Sequence, residues 1–265
     1  LDIQYVKGSE PQVKIKAELV DMNGYEPDEA YMAHFAPHME KIKEYVGKRI
    51  GKLEAPMDSR EAYFGPSAFV DYLHRFQLDV TRAEVSFAAP MEYDFSMEQG
   101  DVYVHDMFSL YRYENMLCVI QLTGQEIKDY LEMSYAQWVG TMKSAADHLL
   151  LMGEGDTPRL KNHYYDFDSA AGILYEVDVT KPVGHRVSIK RMANGDAFRM
   201  DARYVVAMNS YRALGGADLM KKAGVDMAKI DERVVEYYPE IRELIYDYLL
   251  QYGEIDPLVV GDPAV

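Results

Sequence analysis

Two periods alternate along this chain, and the changes between them mark its elements. Residues 13–20 alternate apolar and polar, the period of a half-buried strand, and Asn23-Gly24 then signals a turn. From 28 to 46 the period becomes helical, with Met32, Phe35, Met39, Ile42 and Val46 three or four apart. Pro37 inside this stretch is expected to kink or split the helix. Residues 47–56 read as a connector. Pro66 suits the first turn of a helix whose stripe is Phe69, Val70, Leu73 and Phe76 and which ends near Leu78. A buried strand is expected at 84–89, a short helix at 106–110 and another buried strand at 116–122. Thr123-Gly124-Gln125-Glu126 then has the form of a capping box, and the helix it opens carries Ile127, Tyr130 and Leu131. Residues 136–162 are weakly patterned, an excursion. Strands return at 173–179, 186–191 and 204–208, with Asn194-Gly195 as a hairpin turn between the last two. Helical spacing from 231 to 252, split at Pro239, closes the chain. No internal repeat is visible. Strands and helices mix without a strict βαβ rhythm, which favours α+β or a layered α/β fold.

Composition narrows the options. A chain of 265 residues that is 48% hydrophobic has ample material for one large core. No apolar run approaches the roughly 20 residues needed to span a bilayer as a helix. The chain opens Leu1-Asp2-Ile3-Gln4, without an initiator Met or a basic-then-apolar leader, so it is expected to be a piece of a longer protein, and its compartment stays open. Residues 1–25, holding a single strand, look like the tail of something upstream. A net charge of −16 argues against general binding to nucleic-acid backbones, where Lys and Arg displace counterions. It leaves small nucleotides possible, because a few local Arg suffice for one phosphate. The single cysteine, Cys118, lies in an apolar strand and permits neither an internal disulfide nor a Cys-based metal site.

Candidate chemistry is sparse. His34 and His38 share a helix face at i, i+4, but no third ligand accompanies them and no HExxH motif is present. There is no GxSxG elbow, and Gly215-Gly216 is not followed by the GK[ST] of a phosphate loop, so no complete catalytic set is legible. Two loop segments are more informative: Tyr111-Arg112-Tyr113-Glu114-Asn115 precedes a buried strand, and Asn209-Ser210-Tyr211-Arg212 follows another. Each places a Tyr beside an amide and an Arg at a strand end, where ligand sites collect. A planar base can stack on Tyr faces while Asn bonds its polar edge. With 22 Tyr in the chain, the same residues also suit an ordinary boundary between core and solvent.

The order of these segments resembles the C-terminal domain of the bacterial 5'-nucleotidase and 2',3'-cyclic-nucleotide phosphodiesterase family. The resemblance is carried by Gly65-Pro66-Ser67-Ala68-Phe69-Val70-Asp71, Ala83-Glu84-Val85-Ser86-Phe87, Tyr113-Glu114-Asn115, Leu122-Thr123-Gly124-Gln125-Glu126-Ile127, Val183-Gly184-His185-Arg186-Val187, and residues 204–211 with Gly215-Gly216 after them, over roughly residues 28–220. It implies a layered helix/sheet/sheet/helix α/β domain at 28–265. Residues 1–27 would then be a remnant strand and linker from an upstream metallophosphatase domain.

By the same resemblance, Tyr113 and Tyr211 sandwich the base, Asn115 bonds it, and Gly172 lines the pocket. Catalysis and two divalent metal ions belong to the missing N-terminal domain, so this chain carries no cofactor and is inactive alone. The expected partners are a nucleotide or nucleoside and that N-terminal domain, with no nucleic acid and no membrane span. The expected compartment is periplasmic or extracellular. Two departures stand out. Glu92 occupies a position where the family has a phosphate-binding Arg, and a carboxylate there repels phosphate by about a kcal/mol or more at short range. The family's Gly-Gly-Asp reads Gly215-Gly216-Ala217, with Asp218 one place late. Arg112, Arg212 and Arg60 are the candidates to replace the missing Arg. The alternative is a fold relative that has lost nucleotide binding and serves as a structural or interaction module.

Overall fold

The computed structural model describes residues 2–4, 7–10, 12–155 and 159–255. The chain forms two compact units, Leu1–Glu44 and Tyr45–Val265. The first holds a two-stranded antiparallel ribbon, β1 (Asp2–Gln4) and β2 (Gln12–Lys14), and most of helix α1 (Glu29–Val46). The alternation expected as a strand over 13–20 therefore gives only its first two residues to β2. Beyond Lys14 no strand partner is present among the described residues, and alternation without a partner leaves the backbone open. Pro37 lies within α1, which continues through it as one helix instead of splitting there.

The larger unit runs β3 (Arg49–Leu53), β4 (Met57–Asp58), α2 (Ala68–Thr81), β5 (Val85–Ala88), β6 (Ser96–Met97), β7 (Gly100–Tyr103), α3 (Met107–Leu110), β8 (Met116–Thr123) and α4 (Gly124–Trp138). It continues with β9 (Ser169–Ala171), β10 (Ile173–Val177), β11 (Val187–Met192), β12 (Arg203–Asn209), α5 (Ser210–Ala213), α6 (Leu219–Lys222), β13 (Val234–Glu240), α7 (Ile241–Tyr252) and β14 (Glu254–Ile255). The central sheet has the order β13-β8-β12-β5-β9, antiparallel except where β12 runs parallel to β5. A second sheet, β14-β3-β7, forms where a connector was expected. The arrangement is the mixed, layered α/β fold anticipated.

Both faces of the central sheet are buried, which explains its uninterrupted apolar runs. Along β8, Leu117 and Val119 face a core shared with Phe69, Leu73 and Phe76 of α2 and Ile241, Ile245 and Leu249 of α7. The alternate residues Cys118, Ile120 and Leu122 face a second core with Ile127, Tyr130 and Leu131 of α4 and Met220 of α6. Burying each large apolar side chain contributes about 1.5–3 kcal/mol. Cys118 is fully buried, and burial pushes its thiol up to about 11, so it is an inert hydrophobe. The Thr123 capping box forms as read: Thr123 Oγ1 accepts from Glu126 N at 3.2 Å and Glu126 Oε2 accepts from Thr123 N at 2.8 Å. No helix among the described residues is long and apolar enough to cross a membrane.

Two expectations fail here. The helix expected from 231 to 252 begins only at Ile241, because 234–240 form β13 at the sheet edge. Pro239 lacks an N–H and is tolerated there because an edge strand has one unpaired side. Asn194-Gly195 does make a turn, but β11 pairs with β10 and not with β12, so it closes no hairpin between them.

Gly172 fixes the joint between β9 and β10. Its φ is +85°, and a Cβ there would lie 2.0 Å from the Glu84 carbonyl oxygen. Gly172→Ala is therefore expected to lower stability by about 3 kcal/mol or more, combining backbone strain with a clash against main chain that cannot swing away. Urea unfolding measures this, and a loss under about 1 kcal/mol would show that β5 and β9 can separate without cost.

Candidate functional site

The pairing of β8 with β12 aligns Leu117 with Asn209, so the loop before β8 and the turn after β12 leave the sheet at the same end. A buried phenol ties them further. Tyr111 is 4% exposed, Asn115 Nδ2 donates to its hydroxyl at 3.4 Å, and the Asn209 side chain bonds it from the other loop. Asn209 also caps α5, its Oδ1 accepting from Arg212 N at 2.9 Å. Tyr113 and Asn115 are half-buried and Tyr211 is exposed. The Tyr211 ring lies flat on the chain at Gly216, where a Cβ would meet its ring carbons at 2.4–2.6 Å. Gly215, with φ +100°, turns the backbone into that approach. The glycine pair thus seats an aromatic ring.

Four tyrosines that sequence reasoning did not single out continue from Tyr113. Tyr165 meets Tyr113 edge-on at 5.5 Å and stacks on His163 at 4.9 Å and 7°. Tyr164 contacts Tyr165 at 5.5 Å and Tyr93 at 6.0 Å, and Tyr93 contacts Tyr63 at 5.8 Å, so the rings form a continuous row. Burial first, and Tyr164 second, hold the Tyr113 phenol above its ordinary range. The available signal was the aromatic run His163-Tyr164-Tyr165 at the end of an otherwise weakly patterned segment.

Beneath the cleft lies a buried charge cluster. Arg212 is 1% exposed; its Nε donates to Asp168 Oδ2 at 2.8 Å, its Nη1 stands 3.0 Å from Asp166 Oδ1, and its Nη2 donates to the Tyr165 carbonyl. Tyr130 of α4 donates its hydroxyl to the same Asp168, and Ser134 Oγ donates to the Asp168 carbonyl at 2.7 Å. Burial pulls the guanidinium toward neutrality, but the Asp168 and Asp166 carboxylates outweigh it and raise its pKa, so Arg212 stays charged. The same guanidinium lies 5.2 Å from the Tyr211 ring centre. Arg212 thus supports Tyr165 through its carbonyl and Tyr211 through its ring.

The other candidates are dispersed. Arg112 lies at the cleft, exposed, and pairs with Glu92 at 3.0 Å, so Glu92 is neutralised there by a neighbouring cation. Arg60 is exposed on a one-turn helix and pairs with Asp94 at 3.3 Å, near Tyr63 at the far end of the row of rings. Gly172 is held against Glu84, as described above. On α1, His34 and His38 both lean on Phe35, at 4.9 and 6.2 Å. Among the described residues no group of three or more His, Cys, Asp or Glu is placed to hold a metal.

Different costs follow for the two arginines at the cleft. Arg212→Met leaves two buried carboxylates without their cation and is expected to lower stability by about 3–5 kcal/mol. Arg112→Gln breaks an exposed pair and is expected to change it by no more than about 1 kcal/mol. Urea denaturation of both variants decides, and equal effects would contradict the division into a buried support and an exposed surface pair.

A model of the family described as "5'-nucleotidase, C-terminal domain" matches residues 49–223. The "Trifunctional nucleotide phosphoesterase protein YfkN" of Bacillus subtilis is 27% identical over 247 residues, covering 81% of this chain and 16% of that protein. The "2',3'-cyclic-nucleotide 2'-phosphodiesterase/3'-nucleotidase" of Salmonella typhimurium is 27% identical over 207 residues, covering 66% of this chain and 31% of its own length. The chain therefore spans less than a third of either relative. The structure of a 5'-nucleotidase precursor from Thermus thermophilus superimposes with a TM-score of 0.61 at 20% identity, over 86% of this chain and 40% of that one, and so shares the fold.

Proposed function

Because the chain belongs to the 5'-nucleotidase C-terminal domain family, we propose that it is the nucleoside-recognition part of a larger phosphohydrolase and that a base stacks between Tyr113 and Tyr211. The observation that carries this reading is the joining of the two aromatic loops at one end of β8 and β12 through Tyr111, Asn115 and Asn209. A half-buried ring and an exposed ring on a rigid frame give stacking faces at little cost in ordering. Asn115 keeps its carbonyl oxygen for the polar edge of a base, since its amide nitrogen is held by Tyr111. Arg112, an exposed cation next to Tyr113 in the chain, is the candidate to meet a phosphate. Glu92 holds it in place and weakens its pull, so the base contributes more to affinity than the phosphate does.

Hydrolysis in this reading belongs to an N-terminal metallophosphatase domain, outside this chain, whose two divalent metal ions would hold the attacked phosphate and its water. The chain alone binds without cleaving. Residues 1–27 fit a tail and linker from that partner, and the compartment expected for the whole is periplasmic or extracellular.

Calorimetric titration with adenosine and AMP tests the assignment. Wild type is expected to bind both, with AMP gaining little over adenosine. Tyr113→Ala and Tyr211→Ala are each expected to lose roughly tenfold or more in affinity, since a stacked base is worth about 1–3 kcal/mol. Gly216→Ala, which pushes the Tyr211 ring off its seat, is expected to weaken binding in the same direction. Unchanged affinity in both Tyr variants would rule the sandwich out.

A further inference from the structure

A cavity of about 440 Å³ opens between the start of α2, the end of α4 and the β9–β10 segment, and neither Tyr113 nor Tyr211 borders it. Its size suits a small organic ligand. Aromatic side chains wall it: Tyr63, Tyr135, Trp138 and Tyr175. Tyr135 and Trp138 stack at 4.9 Å and 4°, and Trp138 stacks in turn on Phe167 at 5.4 Å, which locks the wall. The Tyr135 and Tyr175 hydroxyls bond each other at 3.0 Å and so offer little to a ligand's polar groups.

One carboxyl enters this aromatic space. Asp71, in the first turn of α2, makes no side-chain hydrogen bond and no ion pair among the described residues. Among the described residues no Lys, Arg or His borders the cavity. The other titratable groups bordering the cavity are the phenols of Tyr63, Tyr135 and Tyr175, and the Tyr175 phenol feels the Asp71 charge. His74, one turn along α2, is held neutral by burial between Ser86 Oγ at 3.0 Å and Ser169 Oγ at 3.1 Å. A half-buried carboxylate without a counter-charge is costly, and among the described residues only the weak positive end of the helix offsets it. A phosphate would be repelled here, so this is not a second nucleotide site. A cation would gain both the carboxylate and the faces of the rings.

We propose that this cavity binds a small organic amine, protonated at neutral pH and carried on an aromatic or branched aliphatic body, with Asp71 as its counter-ion. The ammonium meets the carboxylate and the body fills the space against Trp138 and Tyr175. Burial pushes the Asp71 carboxyl up to about 6. Below that pH the carboxyl is neutral and attraction is lost; above it the carboxylate is present and binding is full.

Trp138 is the single tryptophan of the chain, so its fluorescence reports on the cavity directly. The test is a fluorescence titration with phenethylamine and with its neutral analogue 2-phenylethanol, at pH 7.5 and 5, on wild type and Asp71→Asn. The expected result is saturable binding of the amine at pH 7.5, roughly tenfold weaker for the alcohol, for the variant and at pH 5. Asp71→Asn is expected to fold, because it removes an uncompensated charge, and to melt above wild type at pH 7.5; the wild-type pH profile stands as an independent reading. No saturable response at millimolar amine, equal binding of amine and alcohol, or an affinity indifferent to pH and to Asp71→Asn would each overturn the proposal.

Discussion

The buried Arg212 guanidinium is the interaction on which the candidate cleft depends. It sits between a helix turn that follows β12 and the segment that precedes β9, and it bonds Asp168, Asp166 and the Tyr165 carbonyl at once. Tyr130 reaches the same Asp168 from α4. Three pieces of chain distant in sequence, α4, the 165–168 segment and the turn after β12, are thereby fixed against one another. Such a cluster is costly to bury and adds little net stability when complete. Its effect is specific: it sets where Tyr165 and Tyr211 stand, since one is bonded through its carbonyl and the other is the residue next to Arg212.

Charge is distributed accordingly. The chain is strongly acidic, yet the cleft end carries the paired Arg112 and Glu92, and the Arg212 cluster lies below it. In the proposed reading a phosphate-bearing ligand would meet a nearly balanced surface, whereas a flat, weakly polar base would meet a row of tyrosines running from Tyr113 to Tyr63. This favours recognition by stacking over recognition by charge. The cavity beside Asp71 has the opposite character, a lone negative group inside aromatic walls, so the two proposed sites would select different chemistry.

Much of the fold was legible in the sequence. The buried strands β5, β8 and β12 announced themselves as apolar runs because both faces of the central sheet are covered. The capping box at Thr123 forms as read because it is a wholly local device. Features that failed were those decided by distant partners. Residues 234–240 have helical spacing but are drawn into the sheet edge by β8, and 49–53 become a strand only because β7 and β14 flank them. At the site, Tyr113, Asn115 and Tyr211 could be picked out by their place at strand ends. Nothing local distinguishes Arg112 from Arg212, although one is exposed and the other is fully buried. That difference is made by Asp166 and Asp168, more than 40 residues away. Tyr165 was missed for the same reason: its neighbours gather only in three dimensions.

The most direct test of this account is a crystal structure of the chain grown with adenosine. The account predicts the base between the Tyr113 and Tyr211 rings, with Asn115 on its edge, Tyr165 displaced no further than its bond to Arg212 allows, and the Asp71 cavity free of nucleoside. Adenosine seated elsewhere, or a cleft in which Tyr165 keeps the base out at saturating concentration, would contradict it.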